Sequence, residues 1–170
     1  MEFVHELLYL SDDISRIVVK DYTEMLSQYL FQAYKTKSKV SCRIDMEDFI
    51  LPIETAIPLG LVMSEFITNS LKYAFPDISC CREEPGKPCT ITISLKREGN
   101  DYLLIIADNG IVLREMENVT TSNPTSLDLI RFIIEHQLQG NLEISTSEGT
   151  LYNIRFPEST LMRHDSNGQT

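Results

Sequence analysis

Glu65, Asn69, Lys72 and Tyr73 offer a carboxylate, an amide, an ammonium and a phenol ring along one short stretch. Steps of four residues advance only about 40° around a helix, so on a helix these groups share one side. Glu65 can serve as a general base or orient a water. Asn69 offers a neutral oxygen to Mg²⁺, a hard cation that keeps several of its waters. Lys72 can pair with phosphate, and Tyr73 can stack on a base. An ordinary solvated helix face has the same pattern, and spacing alone leaves both readings open. A second feature is Asp108-Asn109-Gly110. It sets an acceptor where a chain turns back, able to receive a hydrogen bond from an exocyclic amine such as that of adenine. A plain strand-ending turn reads equally well. A third, Gly149-Thr150, is on its own a hairpin turn.

These groups need elements to hold them. Residues 56–75 carry Ile57, Leu59, Leu61, Val62, Met63, Phe66, Ile67, Leu71 and Ala74, which predicts a largely buried helix, broken at Pro76. Tyr102 to Ala107 is nearly continuously apolar and predicts a central strand buried on both faces, ending at Asp108. Ile91, Ile93 and Leu95 alternate before it, with Gly99-Asn100 as the turn between. Val40, Cys42, Ile44 and Met46 predict a half-buried strand over 39–46. Residues 1–12 and 15–34 read as two helices, and 125–138 as another, with Gly140 in the C-cap position. A closing hairpin carries Leu142 and Ile144, then Leu151, Ile154 and Phe156. Residues 77–89 and 111–123 read as loops, and 158–170 as a polar, disordered tail. Hairpin-joined strands with few helices imply an α+β fold: an α/β sandwich with helices on one face of a mixed, mostly antiparallel sheet.

Composition narrows the functions. The 170 residues are 42% hydrophobic and 24% charged, enough for a real core. Fifteen Lys and Arg face 25 Asp and Glu, a net charge of -10, which argues against general nucleic-acid binding. No apolar run approaches the roughly 20 residues of a bilayer span, and the acidic start lacks signal-peptide features, so a cytoplasmic location is expected. On that basis Cys42, Cys80, Cys81 and Cys89 are expected to be reduced thiols; their spacing matches no paired zinc-ligand set.

The segment IPLGLVMSEFITNSLKYAFPD (57–77) resembles the N-box of the GHKL ATPase superfamily, whose members share the Bergerat nucleotide-binding fold. It is most similar to sensor histidine kinases whose N-box reads like PLGLILNELVTNALKYAFP. FVHELLYLSDDISRI at the start, ADNG at 107–110, SLDLI at 126–130 and EGTLYNIRFP at 148–157 occur in that subgroup's order. The resemblance implies that 1–34 is a remnant of the dimerisation and phosphoacceptor helices and 35–157 an ATP-binding domain. It implies ATP and Mg²⁺ as cofactors, with Asn69 ligating the metal and Glu65 as the catalytic polar residue. Lys72 would approach the phosphates, Tyr73 would line the pocket, and Asp108 would bind the adenine amine, with Gly110 permitting close approach. Ser126 and Leu127 would lie on the phosphate side, and Thr150 would support the Asp108 network. The γ-phosphoryl of ATP would pass to a histidine on those helices and then to a response regulator, with a homodimer through 1–34. Residues 111–125 would be a short lid, and the start of the helix near 125 would face the phosphates.

Two residues depart from the subgroup's pattern. Val112 stands where a second glycine comes after Asp-x-Gly, and Asp128 replaces the glycine of Ser-Leu-Gly-Leu. A Cβ obstructs the approach of backbone amides to phosphate, and a carboxylate about 4 Å away costs on the order of 1–4 kcal/mol. The phosphoacceptor box itself is not present, and His5 lies in the helix that comes after it. His136 and His164 carry no catalytic reading. The alternative function is therefore a degenerate, non-catalytic Bergerat module that acts as a binding or regulatory partner in two-component signalling. A serine kinase of the anti-sigma type is a weaker alternative on the same fold.

Overall fold

The computed structural model describes residues 16–35, 39–75, 88–112 and 126–158. In chain order these form β1 (Arg16–Val18), α1 (Val19–Ala33), β2 (Val40–Met46), β3 (Ile50–Pro52) and α2 (Ile53–Asn69). A π-helical turn at Ser70–Ala74 extends α2. Then come β4 (Cys89–Glu98), β5 (Asp101–Asp108), α3 (Ser126–Phe132) with a second π-helical turn at Ile133–Gln137, β6 (Asn141–Ser145) and β7 (Thr150–Pro157). Five strands form one sheet in the order β2-β4-β5-β7-β6; β2 runs parallel to β4, and the other pairs are antiparallel. This is the mixed, mostly antiparallel sheet with helices that the hydrophobic pattern predicts.

Helix α2 lies at the centre. Its Leu59, Val62, Met63, Phe66 and Ile67 are fully buried, as are Ile91, Ile93, Leu104, Ile106, Ile154 and Phe156 of the sheet. Each such side chain contributes about 1.5–3 kcal/mol by leaving water. The Phe66 ring stacks on Tyr152 of β7, centroids 3.9 Å apart and 8° from parallel. This packing fixes where the C-terminal end of α2 arrives: beside the tip of β5. Val19, Tyr22, Leu26 and Leu30 of α1 join the same core.

Several local expectations differ from the structure. The stretch expected to begin a helix at 15 opens instead as β1, paired antiparallel with β3, Arg16 opposite Pro52 and Val18 opposite Ile50. The β-branched run Ile17-Val18-Val19 favours an extended start once Ile50-Leu51 offers a partner. Strand β5 is central but covered on one face only. Tyr102, Leu104, Ile106 and Asp108 are buried, whereas Leu103, Ile105 and Ala107 are half-buried. An apolar run does not reveal which face the helices cover. Past α3, Gln139 takes the left-handed conformation at φ 54. Gly140 is needed for another reason, since a Cβ there would lie 2.3 Å from the Arg155 carbonyl oxygen.

The reduced state expected of all four cysteines does not hold. Cys89 is disulfide-bonded and Cys42 is free. Glu158, expected to begin the tail, is anchored by its N–H to the Asn100 carbonyl at 2.8 Å and by its carboxylate to Arg97 at 2.6 Å. The leading helix at 1–12, most of the loops at 77–89 and 111–123, and the tail beyond 158 lie outside the described residues. No helix among the described residues is long and apolar enough to cross a membrane.

Candidate functional site

The end of α2, the tip of β5, the start of β7 and one side of α3 enclose a cavity of about 660 Å³. That volume lies within the range of small-ligand sites. Asp108 lines it and is 6% exposed. Its carboxylate accepts three hydrogen bonds: Ser70 Oγ donates at 2.7 Å, the Gly110 N–H at 3.1 Å and the Thr150 N–H at 3.3 Å. Burial pushes its pKa above the ordinary carboxylate value, and the three donors offset part of that rise. Burial likewise pushes the Tyr152 phenol up to about 12, with Asp108 and Glu65 adding negative charge nearby. Tyr152 thus lines the cavity as a neutral ring.

One face at the C-terminal end of α2 reaches the cavity. An ideal helix would aim Glu65, Asn69, Lys72 and Tyr73 together. Asn69, Ser70, Tyr73 and Ala74 line the cavity instead, the face offset from Glu65 and Lys72 around the helix, with the π-helical turn spanning Ser70–Ala74. Glu65 is half-buried one turn before Asn69 and is not part of the lining. Lys72 is exposed, with its ammonium 5.1 Å from the centre of the Tyr34 ring, a cation–π contact away from the cavity. The predicted quartet is therefore split: Asn69 and Tyr73 inside, Glu65 and Lys72 outside.

Two glycines let the surrounding backbone close on Asp108. A Cβ at Gly110 would lie 2.2 Å from the Ala74 carbonyl oxygen, which accepts a 2.9 Å bond from the Ile111 N–H. Gly149 has φ +84, and a Cβ there would lie 2.0 Å from the Asp108 carbonyl oxygen. Gly149-Thr150 thus does more than turn the chain: it seats the Thr150 amide against the aspartate. Asn109 points the other way, its side chain tied to the Pro88 carbonyl and the Thr90 N–H, both at 2.8 Å.

Across the cavity, Leu127 and Arg131 of α3 form part of the lining, four residues apart on one helix face. Ser126 and Asp128 are exposed and do not line it. The obstruction expected from Asp128 therefore has no counterpart in this geometry, whereas Val112 does face the cavity. Sequence reading overlooked Ser70, Arg131 and Tyr152. Ser70 carried a signal, because a hydroxyl on the buried side of an apolar helix must find a partner. Arg131 stands one turn after Leu127, and Tyr152 on the inward-pointing phase of β7.

A family profile described as "Histidine kinase-, DNA gyrase B-, and HSP90-like ATPase" matches residues 54–160. The chain belongs to this family. Solved structures with the same fold include the Erythrobacter litoralis EL346 blue-light activated histidine kinase, at TM-score 0.70 and 19% identity over 93% of this chain and 51% of that one. The Acinetobacter baumannii histidine kinase AdeS aligns at TM-score 0.59 and 14% identity over 90% and 73%. The catalytic domain of histidine kinase ThkA aligns at TM-score 0.63 and 12% identity over 85% and 96%. The chain spans about half the length of the first of these. No curated protein sequence matches it. At these identities the neighbours show the fold; the family profile shows an ATP-binding domain of the histidine kinase-like kind, and Asp108, Asn69 and Thr150 lie within its matched span.

The donor set suits a metal that arrives with its ligand. Among the described residues no three His, Cys, Asp or Glu side chains cluster to hold an ion. Asn69, whose side-chain amide carries one neutral oxygen, lies on the cavity wall. Mg²⁺ commonly takes one or two protein oxygens and completes its shell with phosphate oxygens and waters, which fits a wall of this kind.

Proposed function

We propose that this chain is the ATP-binding catalytic domain of a two-component sensor histidine kinase, which supplies the γ-phosphoryl of Mg-ATP to a histidine. The observation that carries the reading is the buried, triply hydrogen-bonded Asp108 facing a nucleotide-sized cavity with Asn69 on its wall. In this reading the Asp108 carboxylate accepts a hydrogen bond from the adenine amine. Gly110 and Thr150 hold that carboxylate in place, and Tyr73 and Leu127 cover the base. Asn69 gives its oxygen to Mg²⁺, which supplies charge neutralisation for the phosphates when bound. Glu65, one turn before Asn69, orients the attacking imidazole. Catalysis of this kind rests on positioning and charge stabilisation more than on covalent chemistry. The partners are a phosphoacceptor helix pair and a response regulator, in the cytoplasm, with homodimer formation through residues 1–34 as part of the same proposal.

The second reading, a non-catalytic module, is favoured by Val112 on the cavity wall in place of a glycine. One assay separates the two. The purified chain is mixed with γ-labelled Mg-ATP and a helix pair bearing an acceptor histidine. The first reading expects acid-labile label on the helix pair, abolished in Asp108→Asn. ATP binding without label supports the second reading instead.

A further inference from the structure

We infer that Arg131, rather than Lys72, is the cation that holds the polyphosphate; the inference rests on the nucleotide reading above and deepens it. Among the described residues that line the cavity, Arg131 is the one Lys or Arg and Asp108 the one acid. The two differ in exposure: Asp108 is buried, while Arg131 is half-exposed. A cavity with a buried acceptor on one wall and a more exposed cation on another complements a ligand with an amine at one end and an anion at the other. The described residues give Arg131 no ion pair or hydrogen bond, in contrast to Arg97 and Arg155, which are both paired with carboxylates. Its guanidinium is thus uncommitted. It presents a planar fork of donors that matches two phosphate oxygens at once, a geometry an ammonium lacks.

Lys72 is the cation that the sequence pattern singles out, but it lies on another side of the helix end. Its ammonium sits over the Tyr34 ring outside the cavity. The need for a cation is strong in this chain. With a net charge of -10, the protein's own field opposes the approach of a polyanion, and a local positive group must offset it. Leu127, on the same face of α3 as Arg131, anchors that helix side against the cavity. Arg131 therefore sets the preference for nucleoside di- and triphosphates over the bare nucleoside.

The test is calorimetric titration of the whole chain with adenosine, Mg-ADP and Mg-ATP, for the wild type and for Arg131→Gln, Arg131→Lys and Lys72→Gln. The inference expects Arg131→Gln to weaken Mg-ATP and Mg-ADP at least tenfold while adenosine affinity stays within twofold. Arg131→Lys recovers part of the loss, and Lys72→Gln changes Mg-ATP binding less than twofold. A wild type that binds adenosine and Mg-ATP, with Arg131→Gln indistinguishable from it, overturns the inference alone. So does a Lys72→Gln loss larger than that of Arg131→Gln. An equal loss of adenosine and Mg-ATP in Arg131→Gln assigns Arg131 to the shape of the cavity and also overturns it. A folded wild type that binds none of the three overturns the nucleotide reading and this inference with it.

Discussion

The two sides of the cavity are built by different means. On the strand side, Asp108 is fixed from three directions by Ser70, Gly110 and Thr150, and two glycines let the backbone close around it. On the α3 side, Leu127 and Arg131 face the cavity, and the charged one of the two is half-exposed and unpaired among the described residues. One side is organised before any ligand arrives; the other offers a charge whose partner the ligand must supply. Pre-organised acceptors discriminate, because a ligand that fails to match leaves a buried group unpaired. A flexible cation adds affinity with less geometric demand. In the proposed reading, base selection belongs to the strand side and phosphate attraction to the helix side.

The contrast breaks most readily at Asp108. Asp108→Asn replaces a charge-assisted acceptor with a neutral amide. It is expected to weaken adenine-nucleotide binding by about ten- to a hundredfold, since such a bond is worth about 1.5–3 kcal/mol. Calorimetry reads the loss, and circular dichroism checks the fold. An equal affinity would mean the strand side does not select the base.

Gly110→Ala comes next. The added Cβ meets the backbone oxygen of Ala74, which cannot swing aside as a side chain can. The cost should be about 1–3 kcal/mol, a fall in Tm of about 3–10 °C. An unchanged Tm would show that the Asp108 loop and the end of α2 are not tightly apposed.

Ser70→Ala is a finer probe. It removes the 2.7 Å bond to Asp108 and is expected to cost about 1 kcal/mol. Its more telling effect is on pH. Burial already holds the Asp108 carboxyl above its ordinary range, and losing the Ser70 donor raises it further. The folded carboxyl binds its proton more tightly than the unfolded one. Its contribution to stability is thus full below the ordinary value of about 3.9 and is lost as pH rises through the folded pKa. In the proposed reading nucleotide binding needs the carboxylate and runs the other way, weakening as pH falls through the same value. Titrations across pH should place the midpoint higher in Ser70→Ala than in the wild type. A midpoint that does not move would separate Ser70 from the titration.

The smallest effect is expected from Asp128→Asn. Asp128 is exposed and off the cavity wall, so affinities for Mg-ATP and Mg-ADP should stay within twofold. A tenfold gain for Mg-ATP would restore the obstruction that the sequence pattern suggested.

Much of this was legible in the sequence because it rests on short-range patterns. The alternation in β2, β4 and β7 and the turn at Gly99-Asn100 marked out most of the sheet. The apolar content of α2 identified it as the central helix, and the strand-ending aspartate was visible in Asp108-Asn109-Gly110. What could not be read depended on how the elements meet. The cavity meets the face of α2 that carries Asn69, Ser70, Tyr73 and Ala74 and not the adjoining face of Glu65 and Lys72, and helical spacing alone does not say which of the two faces a site. On α3 the face that meets the cavity is that of Leu127 and Arg131, and the glycine-like position given to Asp128 falls on another side. β1 escaped because it pairs with Ile50–Pro52, more than thirty residues away in sequence, and neither segment carries a strand signal without the other.

The central claim, that the tip of β5 holds a purine, is tested most directly by a crystal structure of the chain grown with Mg-ADP. The account predicts the base in the cavity with its exocyclic amine within about 3 Å of the Asp108 carboxylate, a hydrogen-bond distance. Nucleotide bound elsewhere, or a base in the cavity with its amine turned away from Asp108, would contradict it.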